Sequence, residues 1–314
     1  MNIFFGYLSL IFFATLTVGY LLFPFIIRFA LRNGITDMPD GNLKKHEKET
    51  AYLGGVGVAV TMVAGLVLCG LYTSFEGFFL KNHIFAALTC LCLLLLGLVD
   101  DLRDLSPLVR IIGHGAAAAL FVQSGAVITV WFLPSWMNVA GSVLFHTALI
   151  NACNLVDIMD GLCAVIALAI AVCLVLWAFA CKAMGWCALL VIFIASVSAF
   201  LLYNRPPAQI YLGDCGALCI GGFLSYAAVQ LSLCSATPIS FLLPFFVLLP
   251  LVFEVTSLVL IRTYKGIPFY KGSRHHFAHF FLDRGWKKEE ILVFSLFVVF
   301  SSYFFFVLIK SFCF

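Results

Sequence analysis

Residues 151 to 161 read Asn-Ala-Cys-Asn-Leu-Val-Asp-Ile-Met-Asp-Gly, so two amides, Asn151 and Asn154, and two carboxylates, Asp157 and Asp160, recur at every third position. Positions three apart on a helix share a side, and the spacing predicts one polar stripe with Leu155, Ile158 and Met159 facing away. The surrounding sequence is almost uninterrupted hydrocarbon. A carboxylate at the centre of a bilayer costs about 2.5–3.5 kcal/mol even on the gentlest insertion scale, and apolar packing would not offset two of them. They must face water, a cation or each other.

Three further stretches carry groups of the same kind. Residues 97–107, GLVDDLRDLSP, place Asp100, Asp101 and Asp104 where a helical extension could bring them to one side, and like charges so close drive one of them to bind a proton or a cation. Residues 203–217, YNRPPAQIYLGDCGA, stop a helix at Pro206 and Pro207 and leave Asp214 between Gly213 and Gly216, on a backbone free to approach a ligand closely. The segment from Arg262 to Glu290 holds His275, His276 and His279 among Lys265, Lys271, Arg274, Arg284 and Lys287. Its HHxxH pattern lacks the Glu of a zinc protease motif. An earlier segment, Arg28 to Tyr52, contains Lys44, Lys45 and His46 and reads either as a determinant of membrane topology or as a clamp for anionic phosphates.

The elements that position these groups follow from composition. Of 314 residues 63% are hydrophobic and 11% charged, and the mean hydropathy is +1.11. This describes an all-α polytopic membrane protein of about ten helices, a single domain over 1–314 with no room for a sizeable soluble one. Apolar runs that are continuous and do not alternate exclude a β-barrel. Spans are expected near 3–27, 53–73, 83–98, 108–131, 138–150, 161–181, 184–203, 216–234, 238–262 and 291–313. The fifth is short, and either lies buried among other helices or runs on into the Asn/Asp stripe. The first ends in Phe and Arg without a small-residue cleavage site and reads as a retained span.

Weaving the chain through ten spans puts 15 of the 18 Lys and Arg residues in one set of loops and only Lys81, Lys182 and Lys310 in the other. The positive-inside rule then makes the first set cytoplasmic and both termini external. Of the fifteen carboxylates only Glu76 falls in an outside loop. The cytoplasmic mouth collects Asp100, Asp101, Asp104, Asp157, Asp160 and Asp214 beside histidines and cations. Carboxylates able to share a hard divalent ion, next to basic groups able to hold phosphates, describe magnesium-dependent phosphoryl transfer. Most of the twelve cysteines sit in apolar runs, where a thiol behaves as a small hydrophobe, and no zinc spacing appears.

Four motifs in order, Asp100-Asp101, NxxNxxDxxDG from Asn151 to Gly161, PAxxxxGDxG from Pro207 to Gly216 and the His-rich loop ending at His279, resemble those of the polyprenyl-phosphate N-acetylhexosamine-1-phosphate transferases. The likeness covers nearly the whole chain. DMPDGNLKKH (Asp37 to His46) and RTYKGIPF before HFAH resemble the GlcNAc-1-phosphate branch more than the phospho-MurNAc-pentapeptide translocase branch, which remains the alternative. The resemblance implies ten or eleven transmembrane helices in a bacterial plasma membrane, a cytoplasmic active site, magnesium with manganese able to substitute, a UDP-HexNAc donor and a polyprenyl phosphate acceptor. It implies Asp214 as the metal ligand, Asp100 as the base acting on the lipid phosphate, with Asp101 beside it, and His276 and His279 as contacts to the diphosphate. Asn151, Asn154, Asp157 and Asp160 would bind the nucleotide sugar, Tyr211 would stack on the uracil, and Lys45, His46 and Arg274 would complete the substrate site. A homodimer is left open, and no nucleic acid partner is expected. The rival of another class is an ion-coupled transporter, which would need its polar groups near the middle of the bilayer, whereas these carboxylates cluster at one face.

Overall fold

The computed structural model describes residues 2–37, 49–72, 81–235, 237–268 and 275–313. Helix α1 (Asn2–Arg32) is followed by two two-residue strands, β1 (Thr36–Asp37) and β2 (Thr50–Ala51), paired antiparallel. Then come α2 (Gly54–Tyr72), α3 (Lys81–Arg103), α4 (Pro107–Gln123), α5 (Ser135–Val156), α6 (Leu162–Ala180), α7 (Met184–Asn204) and α8 (Gly213–Leu233). A 3-10 turn (Ser240–Leu242) leads into α9 (Leu243–Val247), α10 (Leu249–Tyr264), α11 (Phe277–Leu282) and α12 (Lys288–Cys313). Seven of the described helices are long and apolar enough to cross a membrane, and eight if α9 and α10 with the preceding turn form one bent span. Helices α2 and α4 are apolar but shorter. The protein is a multi-pass, all-α membrane protein.

Helix α8 is the axis of the bundle. It packs against α2, α3, α5, α6 and α9, and 83% of its most apolar stretch is buried, against 22% for α1. A helix apolar on every side belongs in the interior, and the small residues of α8 let its neighbours come close. A Cβ on Gly55 of α2 would lie 2.2 Å from the Gly216 backbone, and one on Gly222 would lie 2.4 Å from Leu93 of α3. The outer helices α1 and α12 instead present Phe13, Phe25, Phe29, Phe297 and Phe304 outward, a surface suited to lipid and not to water.

Three expected boundaries move. The run 108–131 is helical only to Gln123, where Ser124 and Gly125 end α4. The apolar segment beyond leaves the helix because α5 supplies its hydrogen bonds. Ser142 Oγ accepts from Ile128 N at 2.8 Å, Asn138 Oδ1 accepts from Val130 N at 3.2 Å, and the His146 ring lies 3.0 Å from the Ala126 carbonyl. Irregular backbone among apolar helices requires such partners. The short fifth run becomes a 22-residue helix, α5. The run 238–262 breaks at Leu248 with a bend of 69° between its halves, each opened by a proline, Pro244 and Pro250. The polar stripe also stops short of its full length. Helix α5 ends at Val156, Asp157 caps it, and Asp160 sits in the turn that Gly161, at φ +77°, closes before α6. Only Asn151 and Asn154 therefore share the helix.

Candidate active site

The ends of α3, α5 and α7, the starts of α4, α8 and α12, and the turns beside them surround a cavity of about 1440 Å³. Its described wall includes seven aspartates, Asp37, Asp100, Asp101, Asp104, Asp157, Asp160 and Asp214, against three cations, Arg103, Arg110 and Lys288.

The acidic doublet at the end of α3 divides its work. Asp101 Oδ1 accepts from the Asp214 amide at 2.8 Å and its Oδ2 from the Cys215 amide at 3.1 Å, so this carboxylate caps the start of α8 from another helix. The approach needs two glycines. A Cβ on Gly97 would lie 2.5 Å from the Asp214 carbonyl, and Gly213 takes φ +73° with its missing side chain pointing 2.7 Å from Asp101 Oδ2. Asp100 is buried, accepting from Leu105 N at 2.8 Å and from Arg110 Nε at 2.8 Å. Arg110 also binds the exposed Asp104 at 2.7 Å and brings Nη1 to 3.8 Å from Asp214 Oδ2. The other Asp214 oxygen accepts from the Asn154 side-chain amide.

Across the cavity, the carboxyl of Asp157 is pushed up to about 8, first by loss of water and then by the charges of Asp214, Asp101 and Asp160. Asp160 accepts from Lys288 Nζ at 2.9 Å. Asn204 fastens this turn to the segment before α8, accepting from Gly161 N at 2.9 Å and donating to the Ile210 carbonyl at 2.8 Å. That segment is stitched in turn to the start of α2, with Tyr211 N donating to Ala51 O at 2.8 Å and Gly55 N to Leu212 O at 2.9 Å. The rings of Tyr52 and Tyr211 meet edge to face at 6.0 Å on the cavity wall. Burial raises the pKa of both phenols, and for Tyr52 Asp37 adds to it.

The structure thus gathers Asp100, Asp101, Asp157, Asp160, Asp214 and Tyr211 on one wall, with Asn154 joined through Asp214. Asn151 lies on α5 away from the lining. His276 is buried beside α10, its Nδ1 2.7 Å from Glu254 Oε1, while Glu254 Oε2 accepts from Phe277 N at 3.2 Å. The His279 ring packs against that of His276 at 5.9 Å, and neither lines the cavity. Burial, and then Lys265, Arg262 and His276, lower the pKa of His275, and Lys265 Nζ lies 2.7 Å from its Nε2. Lys45, His46 and Arg274 lie outside the described residues.

Arg110, Lys288, Asn204 and Tyr52 enter the site without having been singled out in the sequence. Arg110 follows the acidic triplet closely, and that nearness was its signal. Lys288 and Asp160 are 128 positions apart, and nothing local could pair them. Glu254 appears in the sequence as an acid within an apolar run, and its partner explains it: the carboxylate is fully buried and bonded on both oxygens.

Among the described residues no three acidic, histidine or cysteine side chains converge as a metal cage. Magnesium needs none, since it is held by one or two carboxylates with waters and substrate phosphates. Asp157 is raised first by burial and then by the charge of Asp214 and its neighbours, and carboxylate oxygens gathered on one wall suit a hard cation.

The family model described as glycosyl transferase family 4 matches residues 83–232, a stretch that holds the acidic doublet, the Asn/Asp motif and Asp214. The chain is 26% identical to a probable undecaprenyl-phosphate N-acetylglucosaminyl 1-phosphate transferase of Bacillus subtilis, over 85% of this chain and 75% of that one. It is 28% identical to a phospho-N-acetylmuramoyl-pentapeptide-transferase of Carboxydothermus hydrogenoformans, over 91% and 92%. With an undecaprenyl-phosphate alpha-N-acetylglucosaminyl 1-phosphate transferase of Thermotoga maritima it shares 27% identity over 68% and 62%.

Proposed function

We propose, from the premise that this chain is a member of glycosyl transferase family 4, that it transfers GlcNAc-1-phosphate from UDP-GlcNAc to polyprenyl phosphate and releases UMP. The observation that carries this reading is the cavity that Asp157 and Asp214 both line, with the Arg110 guanidinium 3.8 Å from Asp214. In the reaction, an oxygen of the lipid phosphate attacks the sugar-bearing phosphorus of the donor. The bond from that phosphorus to the bridging oxygen breaks, and UMP departs with the electron pair. Magnesium, held by Asp157 and Asp214 and replaceable by manganese, would neutralise charge on the diphosphate.

The chain's own side chains account for the rest. Asn154 fixes one oxygen of Asp214 and so orients the other. Arg110, aimed by Asp100 and Asp104, forks onto the acceptor phosphate. Asp101 holds the start of α8, and with it Asp214, in place. Tyr211 and Tyr52 offer faces for the uracil. Asp160, with Lys288, closes the side of the nucleotide pocket. On this reading α2 and α4 also cross the bilayer, giving ten spans in one domain, with the cavity in the cytoplasm and both termini outside.

The second reading, transfer of phospho-MurNAc-pentapeptide, is favoured by the near full-length match to the Carboxydothermus enzyme. Purified protein given undecaprenyl phosphate and UDP-GlcNAc, UDP-GalNAc or UDP-MurNAc-pentapeptide decides between them, scored by labelled lipid and UMP. Product from UDP-GlcNAc is expected. Product from the pentapeptide donor alone moves the enzyme to the other branch, and no lipid product from any donor overturns the proposal.

A further inference from the structure

His114 lies on α4 one turn beyond Arg110, on the same side of the helix. Its side chain is buried, at 3% exposure, and neither ring nitrogen has a hydrogen-bond partner. The charges of both Asp100 and Arg110 reach the ring. Buried polar groups are rarely left without partners, because each forfeits its bonds to water. An apolar side chain would fill the same space without that penalty. The imidazole is therefore suited to a state in which a partner comes free.

Asp100 is the group that can come free. It is 5% exposed, and its neutralising contact is Arg110. Arg110 is itself one third exposed to the cavity, with bonds to Asp100 and Asp104 and one arm toward Asp214. A guanidinium that forks onto a phosphate cannot keep all of these bonds. Turning to the ligand would leave Asp100 a buried charge without its cation, its Oδ1 still bonded to the Leu105 amide and its Oδ2 stripped of Arg110 Nε, and a buried charge that loses its partner is strongly destabilising.

We propose that His114 is the standby partner of Asp100: when Arg110 turns to a phosphate in the cavity, the imidazole donates an N–H to the carboxylate that Arg110 has left. His114 is thus a positioning residue, acting through Asp100 and Arg110. The identity of the phosphate rests on the proposed transferase reaction; the exchange of partners does not.

The test uses the full chain in lipid nanodiscs. Arg110→Met, His114→Phe and the double variant are compared by thermal unfolding, which needs no activity. The double variant should lose at least roughly 3 °C more than the two single losses combined, because it alone removes both side-chain donors and leaves the Asp100 charge to the Leu105 amide. With Arg110→Met, His114→Gln should recover most of that excess, since its amide can donate. Additive losses, or His114→Gln no better than His114→Phe, overturn the proposal. If the double variant fails to accumulate, adding Asp100→Asn, which removes the charge, should restore it, and failure to do so equally counts against the exchange. In the transferase assay, His114→Phe should raise KM for polyprenyl phosphate about tenfold with kcat within about threefold of wild type. A wild-type protein that makes no lipid product would sink the transferase reading and leave the unfolding cycle to judge His114.

Discussion

Asp101 and Asp214 are both motif acids, yet their surroundings assign them different fates on substitution. Asp101 spends both oxygens on the first amides of α8, so Asp101→Asn should cost about 1–3 kcal/mol of stability and show a lowered Tm in detergent. Asp214 keeps one oxygen toward the cavity; Asp214→Asn should keep its Tm and lose about a hundredfold or more in kcat. Equal Tm losses in the two variants would contradict the division. Asp157 makes a prediction about pH. With its pKa raised to about 8, it is largely protonated at neutral pH when no cation is bound, and a metal must displace that proton. Apparent magnesium affinity, titrated by calorimetry, should therefore strengthen as pH rises from about 6 to about 9, and Asp157→Asn should flatten the rise. The individual acids of the site were legible because a carboxylate in an apolar sequence is too costly to stand there without water, a cation or a donor to face. Their roles were not, since the occupancy of each oxygen depends on partners such as Arg110, Asn204 and Lys288, which are remote or unremarkable in the chain.

Among the elements, α3 and α8 set the geometry of the site through one close approach. The Cβ added by Gly97→Ala would meet the backbone carbonyl of Asp214 at 2.5 Å, and backbone cannot rotate aside as a side chain can. The helices must separate, at about 1–3 kcal/mol, and the Asp101 cap must lengthen with them. The variant should show a lower Tm together with reduced magnesium affinity, whereas Gly115→Ala, where the added carbon meets nothing within 4 Å, should show neither. Most helices could be read from the length of their apolar runs. The misplaced limits lay where apolar sequence does not mean helix. Residues 124–134 are held irregular by Ser142, Asn138 and His146 of the next helix, and that compensation depends on tertiary contact. The break at Leu248 did carry a local mark, the prolines at 244 and 250, which a reading for hydropathy alone passed over.

For the molecule as a whole, the lining residues come from helix ends that meet at one pole of the bundle, in keeping with the clustering of carboxylates seen in the sequence. The charge asymmetry predicts which pole this is. Single cysteines placed at Ser106, Arg205 and Asp283 should react with an impermeant maleimide only in inverted vesicles, and one at Lys182 only in intact cells. Labelling of the Asp283 position from outside would reverse the topology and remove the site from the compartment that holds nucleotide sugars. The excess of aspartates over cations on the described wall has a kinetic consequence. Most sites for phosphorylated ligands attract them from a distance, so added salt slows capture. Here a bare nucleotide diphosphate approaches a surface of its own sign, and screening should help it. Stopped-flow binding of the nucleotide sugar in EDTA should speed up as salt is raised from about 20 to 200 mM, and saturating magnesium should weaken or invert that trend, because a ligand arriving with its counterion no longer has to climb the field.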